Sequence, residues 1–217
     1  MLEPDGRSEA GPTPKVTRLF VCSSNQGKLR DFSCAARSRG EDNIAIEPLP
    51  GLAHISPPEE NGSTFEQNAT AKAIYYSAFT QELVLADDSG LEVDALHGAP
   101  GVHSARYAGP GATDTDNNKL LLSNLAQAGE RDARFVCVLA IARQSKLLFT
   151  ATGSVDGTIL TAAQGSGGFG YDSLFFYPPL KRSFGELTGD EKLAVSHRGR
   201  ALRQLFERLP GDLWPLS

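Results

Sequence analysis

Residues 85–109 read LADDSGLEVDALHGAPGVHSARYAG, and the fold turns on how the opening LADDSG is taken. Leu83 to Ala86 is an apolar run with the length of a short buried strand, and it stops at two adjacent carboxylates, Asp87 and Asp88, followed by Ser89-Gly90. Two charges are not expected inside a buried strand, so the strand is expected to end there, at the rim of a sheet. Open α/β sheets place ligands at such rims, and paired carboxylate oxygens suit a hard cation such as Mg²⁺. An Asx-type turn, using Asp, Ser and Gly only for loop geometry, accounts for these residues equally well. The segment beyond favours function. Gly98, Pro100, Gly101 and Gly109 punctuate a long polar loop that also holds His103, Arg106 and Tyr107.

On the N-terminal side, Arg18 to Cys22 (RLFVC) predicts a strand. It turns through Ser23-Ser24-Asn25-Gln26-Gly27-Lys28 into a helix with Leu29, Phe32 and Ala36 on its apolar side. Strand, polar turn, helix is a layout that holds anions, because the first backbone N–H groups of the helix are unpaired and Lys28 adds a full positive charge. An ordinary βα connection explains the same residues. A Walker A loop does not: no Gly lies where GxxxxGK[ST] requires one, and Leu29 replaces the final Ser or Thr. Asn43 to Pro48 predicts a second strand, and Pro50 to Gly62 a solvated loop carrying Glu59 and Glu60. Ser63 and Glu66 have capping-box spacing ahead of Phe65, Ala69, Ala73 and Tyr76, which define one buried helix face. Asn68 and Lys72, four apart, share a different face, where Lys72 reads as a solvated lysine.

On the C-terminal side, Thr113 caps a helix with Leu121, Leu125 and Ala128 inward and Gly129 as its natural C′ residue, a helix with a structural role only. Arg134–Arg143, Leu147–Val155 and Gly157–Ala162 predict successive strands of an antiparallel meander, which makes the sheet mixed. In GSGGFGYD (165–172), glycines remove side chains where backbone must approach something closely, while Phe169 and Tyr171 offer aromatic faces and Asp172 a carboxylate. A hairpin tip and a base-binding platform both fit. Thr188 and Glu191 form a capping box for a short helix containing Lys192. Ser196 caps the last helix, whose stripe is Ala201, Leu202, Leu205, Phe206 and Leu209. His197 and Arg198 then occupy its first turn, where cations are poorly placed unless an anion is also there.

Composition bounds the function. The 217 residues are 40% hydrophobic, enough for one compact α/β unit with a real core, and the formal charge of −5 argues against broad nucleic-acid or anionic-membrane binding. Met1 to Lys15, rich in Pro, Gly and charge, predicts a disordered tail over 1–16 ahead of a single domain over 17–217. Cys22, Cys34 and Cys137 lack metal-ligand spacing and read as reduced thiols of a cytoplasmic protein. No apolar run approaches the roughly 20 residues needed to span a bilayer, and no signal-peptide layout is present.

Taken together and in this order, SSNQGK (23–28), EENGSTFEQNA (59–69), the 85–109 stretch, GSGGFGYD (165–172) and EKLAVSHR (191–198) resemble the inosine triphosphate pyrophosphatase family, the non-standard purine nucleoside triphosphate pyrophosphatases. The resemblance runs from about Arg18 to the C-terminus. It implies an elongated mixed β-sheet flanked by helices, two lobes with a nucleotide cleft between them, and a homodimer. It implies Mg²⁺-dependent hydrolysis of ITP, dITP and XTP to the monophosphate and pyrophosphate. Residue by residue, Ser23, Ser24, Asn25, Gln26, Gly27 and Lys28 would cradle the triphosphate and Lys72 would add charge. Glu59 and Asp88 would hold the metal, with Asp88 also the general base and Ser89 a substrate contact. Phe169, Gly170, Tyr171 and Asp172 would hold base and sugar, with Lys192, His197 and Arg198 completing the pocket. An Arg198 guanidinium facing a 6-oxo group would favour hypoxanthine and xanthine over adenine. Ser23-Ser24 stands where the family usually has Thr-Gly, and Gln67 where bacterial members usually have Glu.

Two alternatives belong to other classes. A nucleotide pyrophosphatase of different base specificity, such as the septum-inhibitor-like enzymes, is disfavoured by the absence of an early SxSPRR-like motif. A non-catalytic nucleotide-binding protein is disfavoured by Asp87, Asp88, Lys28 and Lys192 standing together.

Overall fold

The computed structural model describes residues 17–38 and 44–209. The tail expected over 1–16, Asn43 as the start of the second strand, the inward placement of Ala36 and residues 210–217 of the expected domain lie outside the described residues. The strands are β1 Thr17–Val21, β2 Ile44–Pro48, β3 Leu83–Val93, β4 Asp132–Arg143, β5 Lys146–Ile159, β6 Phe175–Tyr177 and β7 Arg182–Ser183. They form one seven-stranded sheet in the order β2-β1-β3-β4-β5-β6-β7. β1 is parallel to β2 and β3, and every later pairing is antiparallel, so the sheet is mixed as expected. The helices are α1 Gln26–Ser38, α2 Phe65–Tyr76, α3 Asp114–Asn124, α4 Gly189–Val195 and α5 His197–Arg208.

The pleat of the central strands sorts the core into layers, because successive side chains point to opposite faces. On one face, Phe20, Val84, Ala86, Val138 and Ala140 meet the Phe65, Ala69, Ala73 and Tyr76 stripe of α2. On the other, Leu19, Val21, Leu83, Leu85, Leu139 and Ile141 meet Phe32 of α1 and the Leu202, Leu205 and Phe206 stripe of α5. Further along the sheet a separate cluster joins Leu91, Val93, Phe135 and Val155 to Leu121 of α3 and to Tyr171, Leu174, Phe175 and Phe184. Two lobes result, and β3 to β5 run through both.

Several local expectations change. β3 does not end with the apolar run at Ala86; Leu83–Val93 is one strand that passes through both Asp87 and Asp88. The meander strands expected to break at Asp156 are one, β5, with Gly157 inside it where a Cβ would stand 2.5 Å from the Phe176 carbonyl. Thr64, not Ser63, caps α2 by accepting from the Gln67 N–H, and Gln67 Oε1 accepts from the Ser63 N–H at 2.8 Å. Gln67 therefore supplies the same kind of acceptor that Glu would. α3 ends at Asn124 with Leu125 as its C-cap, so Gly129 is not its C′ residue.

The last helix lies directly on strand backbone. A Cβ at Gly153 of β5 would sit 2.2 Å from the His197 carbonyl and 2.4 Å from the Ala201 nitrogen. Backbone cannot rotate away as a side chain does, so Gly153→Ala is expected to lower the unfolding free energy by about 1–3 kcal/mol. A denaturant titration checks this; an unchanged midpoint would show that α5 can shift freely.

Candidate active site

β1 stops at Val21, whereas β3 continues, so the β3 edge that β1 covers as far as Leu85 is uncovered beyond it. Further along, residues 101–106 close over the same edge: the Ser104 hydroxyl accepts from the Leu91 N–H at 2.9 Å and donates to the Gly101 carbonyl at 2.6 Å. Between these two covers lie Asp87, Asp88, Ser89 and Gly90. This gap is where the site forms.

The two carboxylates are not a pair. Being adjacent in a strand, they face opposite sides of the sheet. Asp87 faces the α1/α5 layer and is buried. Lys28 Nζ donates to it at 3.0 Å, Ser89 Oγ at 3.2 Å, and Arg198 Nη2 stands 3.5 Å away. Burial pushes the Asp87 carboxyl up, but Lys28, Arg198 and Lys72 overcome this and hold it at about 2. Asp88 faces α2, where Asn68 Nδ2 donates at 3.1 Å and Lys72 Nζ at 3.2 Å. Burial raises the Asp88 carboxyl above its ordinary range, with Lys72 and Asn68 pulling the other way. The strand can carry both charges through its buried stretch because each meets cations from the helix layer it faces.

Lys72 is only 12% exposed at its side chain and is not a solvated lysine; its ammonium bridges Asp88 and, at 2.9 Å, Glu60. Asp88, Asp87 and Glu60 outweigh the burial that would lower it and hold it protonated. Arg106 supports Glu60 from the 101–106 segment, at 3.6 Å. Glu59, expected beside Asp88, is exposed and accepts from Asn61 Nδ2 at 2.7 Å. The carboxylate that shares a cation with Asp88 is its neighbour, Glu60.

On the α1/α5 side a cavity of about 120 Å³ is lined by Asn25, Lys28, Ser89, Phe169, Gly170, Tyr171, Asp172, Lys192, His197 and Arg198, among others. Most of the residues singled out from the 23–28, 169–172 and 192–198 motifs thus meet in one place. Of the 23–28 loop, Asn25 and Lys28 line it; Asn25 Oδ1 also caps α1 by accepting from the Lys28 N–H at 3.1 Å. Ser23 accepts from the Asn25 N–H at 3.2 Å, and Gly27 packs under Phe169, where a Cβ would lie 2.5 Å from the ring. Ser24 and Gln26 are exposed beside it. Lys192 pairs with buried Asp172 and sits 4.5 Å over the Phe169 ring, with the Arg198 guanidinium 5.6 Å from it.

The first turn of α5 resolves its own electrostatic conflict. Arg198 donates through Nη1 to Asp31 of α1 at 2.9 Å and through Nη2 to Ser89 at 2.9 Å, so an anion is indeed present. His197 is buried and stacked on Phe135 at 4.7 Å; burial first, then Arg198 and Lys192, push its pKa well below 6.5, so it stays neutral. Arg198 Nε and His197 Nδ1 are buried without a hydrogen-bond partner.

Sequence reasoning passed over Glu60, Asn68, Asp31 and Asp114 as site residues. Asn68 had a signal, its four-residue spacing from Lys72; Asp31 and Glu60 had none, since their partners lie far away in the chain. α3 is not purely structural either: Asp114 and Asn117 line the cavity.

A mixed sheet with a cleft at the end of a parallel strand, lined by ion-paired cations and an aromatic ring, defines the class as an α/β protein. The chain belongs to the Ham1 family, whose model matches residues 19–208. It is 50% identical over 202 residues to the dITP/XTP pyrophosphatase of Acidobacterium capsulatum, covering 89% of this chain and 98% of that protein. To the dITP/XTP pyrophosphatase of Staphylococcus epidermidis it is 44% identical over 194 residues, covering 89% and 97%. The structure of the Staphylococcus aureus Ham1 protein matches with a TM-score of 0.79 at 36% identity, covering 90% of this chain and 100% of that one. The Mycobacterium abscessus nucleoside-triphosphatase / dITP/XTP pyrophosphatase matches with a TM-score of 0.70 at 37% identity, covering 89% and 100%. The resemblance carried by the five motifs holds across the described domain.

His197 yields a pH prediction with a definite sign. Its folded pKa lies below its unfolded value, so the folded state resists protonation there; its contribution is full above about pH 6.5 and is lost as pH falls below that. Between pH 7.5 and 5.5, wild-type unfolding free energy is expected to fall more steeply than that of His197→Asn, by up to about 1.4 kcal/mol per pH unit. Parallel pH profiles in denaturant titrations would show that His197 titrates normally.

Proposed function

We propose that this chain hydrolyses non-standard purine nucleoside triphosphates, dITP, XTP and ITP, to the nucleoside monophosphate and pyrophosphate. The name shared by its relatives, dITP/XTP pyrophosphatase, supports the substrate class. One observation carries the site: Lys28, Lys72, Lys192 and Arg198, each from a different helix, come together around the uncovered stretch of β3 that bears Asp88. A triphosphate needs such a set. Ser23 to Lys28 would receive its phosphates with the positive end of α1 and the Lys28 charge, and Lys72 would approach from the opposite face. Asp88 would take the proton of a water attacking the α-phosphorus, a role suited by a carboxyl raised above its ordinary range. Ser89 would contact the substrate beside it. Attack there leaves pyrophosphate as the departing group.

Phe169 to Asp172, with Lys192, His197 and Arg198, would hold base and sugar. The buried, unpartnered Arg198 Nε and His197 Nδ1 support this, since such atoms are expected to find partners in a ligand. Asp31 and Ser89 each engage one N–H of an Nη, so the unpartnered Nε is a donor Arg198 would still offer a 6-oxo group, and against the 6-amino group of adenine it would face another donor.

The residues fit a magnesium ion. Asp88 and Glu60 offer oxygen ligands around one shared cation, Lys72. Among the described residues no group of three or more His, Cys, Asp or Glu side chains is arranged to hold a metal, so phosphate oxygens and water would complete the shell. Charge supports the same requirement: Lys28, Lys72, Lys192 and Arg198 are already paired with carboxylates, so a polyanion gains more when it brings a cation. Magnesium, when bound, neutralises phosphate charge and lowers the pKa of a bound water. A cytoplasmic homodimer completes the proposal; the buried Cys22 and Cys137 thiols, pushed up to about 12 by burial, suit a reducing compartment. Among the described residues no helix is long and apolar enough to cross a membrane.

A panel of nucleoside triphosphates assayed with Mg²⁺ tests the proposal. dITP, XTP and ITP are expected to give monophosphate and pyrophosphate faster than ATP or GTP; early orthophosphate with a nucleoside diphosphate would overturn it. Asp88→Asn should cut turnover by about 10²–10⁴-fold while nucleotide binding persists. Near-normal turnover in that variant rules out Asp88 as the base.

A further inference from the structure

The tip of the glycine loop is held from outside the loop. The Gly170 N–H donates to Asp114 Oδ2 at 2.6 Å, and the Gly170 carbonyl accepts from Asn118 Nδ2 at 3.0 Å. Asp114 and Asn118 are four apart on α3, so one helix face presents an acceptor and a donor to the two polar groups of a single residue. Gly170 needs this support, because its φ of +61° is a left-handed conformation and its neighbours on either side carry large aromatic rings. On the other side of Phe169, the Phe169 N–H donates to Asp172 Oδ2 at 2.8 Å, and Asp172 is fixed by Lys192. Tyr171 is pinned by its hydroxyl, which donates to the Ser104 carbonyl at 2.8 Å. Phe169 is thus clamped at its own N–H by Asp172 and at the following residue by α3, while its ring spans from this loop to Gly27.

We propose that Asp114 and Asn118 are positioning residues that set the place of the Phe169 ring by holding the Gly170 peptide groups. The proposal rests on the reading of this cavity as a purine nucleotide site, with Phe169 as the surface on which the base stacks. Stacking depends on ring placement and is indifferent to which purine is bound. Loss of the α3 clamp therefore weakens binding of every purine alike and leaves the chemistry at Asp88, on the other face of β3, with its groups in place.

Steady-state kinetics on the full chain test this. Asp114→Ala should raise KM for dITP and for ATP by a common factor of about ten, the size of one lost charged hydrogen bond, with kcat within about twofold. Asp114→Asn keeps a side-chain acceptor for the Gly170 N–H and should recover most of the loss. Asn118→Asp turns the donor into a second acceptor facing a carbonyl and should be at least as damaging as Asn118→Ala. Asn124→Ala removes only the contact of α3 with the Tyr107 hydroxyl and should leave KM unmoved, which separates positioning from helix stability. The decisive readout is a double-mutant cycle: in a Phe169→Ala background, Asp114→Ala should add nothing further to KM. Additive effects, or an Asn124→Ala effect as large as that of Asp114→Ala, overturn the proposal. If wild type releases no pyrophosphate from any purine substrate, or if Phe169→Ala leaves KM unchanged, the nucleotide-site reading falls and this inference falls with it. If both of those hold and Asp114→Ala leaves KM unchanged, only the inference falls.

Discussion

Two adjacent carboxylates in a strand buried on both faces impose the constraint from which the site follows. The pleat sends Asp87 to one helix layer and Asp88 to the other, and neither face offers water enough to solvate a charge. Each layer must therefore supply cations. α1 and α5 provide Lys28 and Arg198 to Asp87, and α2 provides Lys72 to Asp88, with the neutral Asn68 amide as a second donor. Removing one partner of a buried pair costs about 3–5 kcal/mol, a large share of a domain's stability, so these helices are tied to the strand by charge as well as by apolar packing. Cations and carboxylates meet at the rim of β1 because the strand would not be stable there without them.

Along the α1/α5 face of β3 the side chains run Leu83, Leu85, then Asp87, Ser89, then Leu91, Val93. The outer pairs belong to two different apolar clusters and the middle pair is polar. The seam between the lobes is thus written into one strand. Missing side chains allow close approach on both faces: at Gly90, on the α2 side, a Cβ would lie 2.4 Å from the Ser104 hydroxyl, and at Gly27, on the α1/α5 side, one would lie 2.5 Å from the Phe169 ring. The cavity is a gap in apolar packing that polar groups line and glycines allow to narrow.

Much of this is legible in the sequence wherever a period repeats. The stripes of α2 and α5, the Thr113 cap, the capping box of Thr188, and the strand-turn-helix at Lys28 are local patterns, and the structure has them. What fails is any judgement that depends on distant partners. The end of β3 is misplaced by local reasoning because burying Asp87 looks impossible until Lys28, 59 positions away, is brought beside it. Lys72 reads as solvated for the same reason. Glu59 and Glu60 are adjacent in an irregular loop, where no periodicity says which one turns inward. Asp114 and Asn118 have helical spacing, but nothing local marks their target, a backbone more than 50 residues on.

An acidic chain with a formal charge of −5 can still gather cations around one strand, because each of them is paired with a carboxylate. Asp31 and Asp87 hold Arg198, Asp87 holds Lys28, Asp172 holds Lys192, and Glu60 with Asp88 holds Lys72. Long, flexible side chains are thereby fixed before any ligand arrives, and the entropy of ordering them is lost on folding rather than on binding. Neutral His197 belongs to the same arrangement. A protonated imidazole beside Arg198 and Lys192 would add an unpaired charge to a balanced cluster, and burial together with those two cations keeps the proton off. Selectivity then need not come from net charge at all: with the cations matched in place, the proposed site would distinguish one anion from another by the shape and hydrogen-bonding of the group between Phe169, His197 and Arg198.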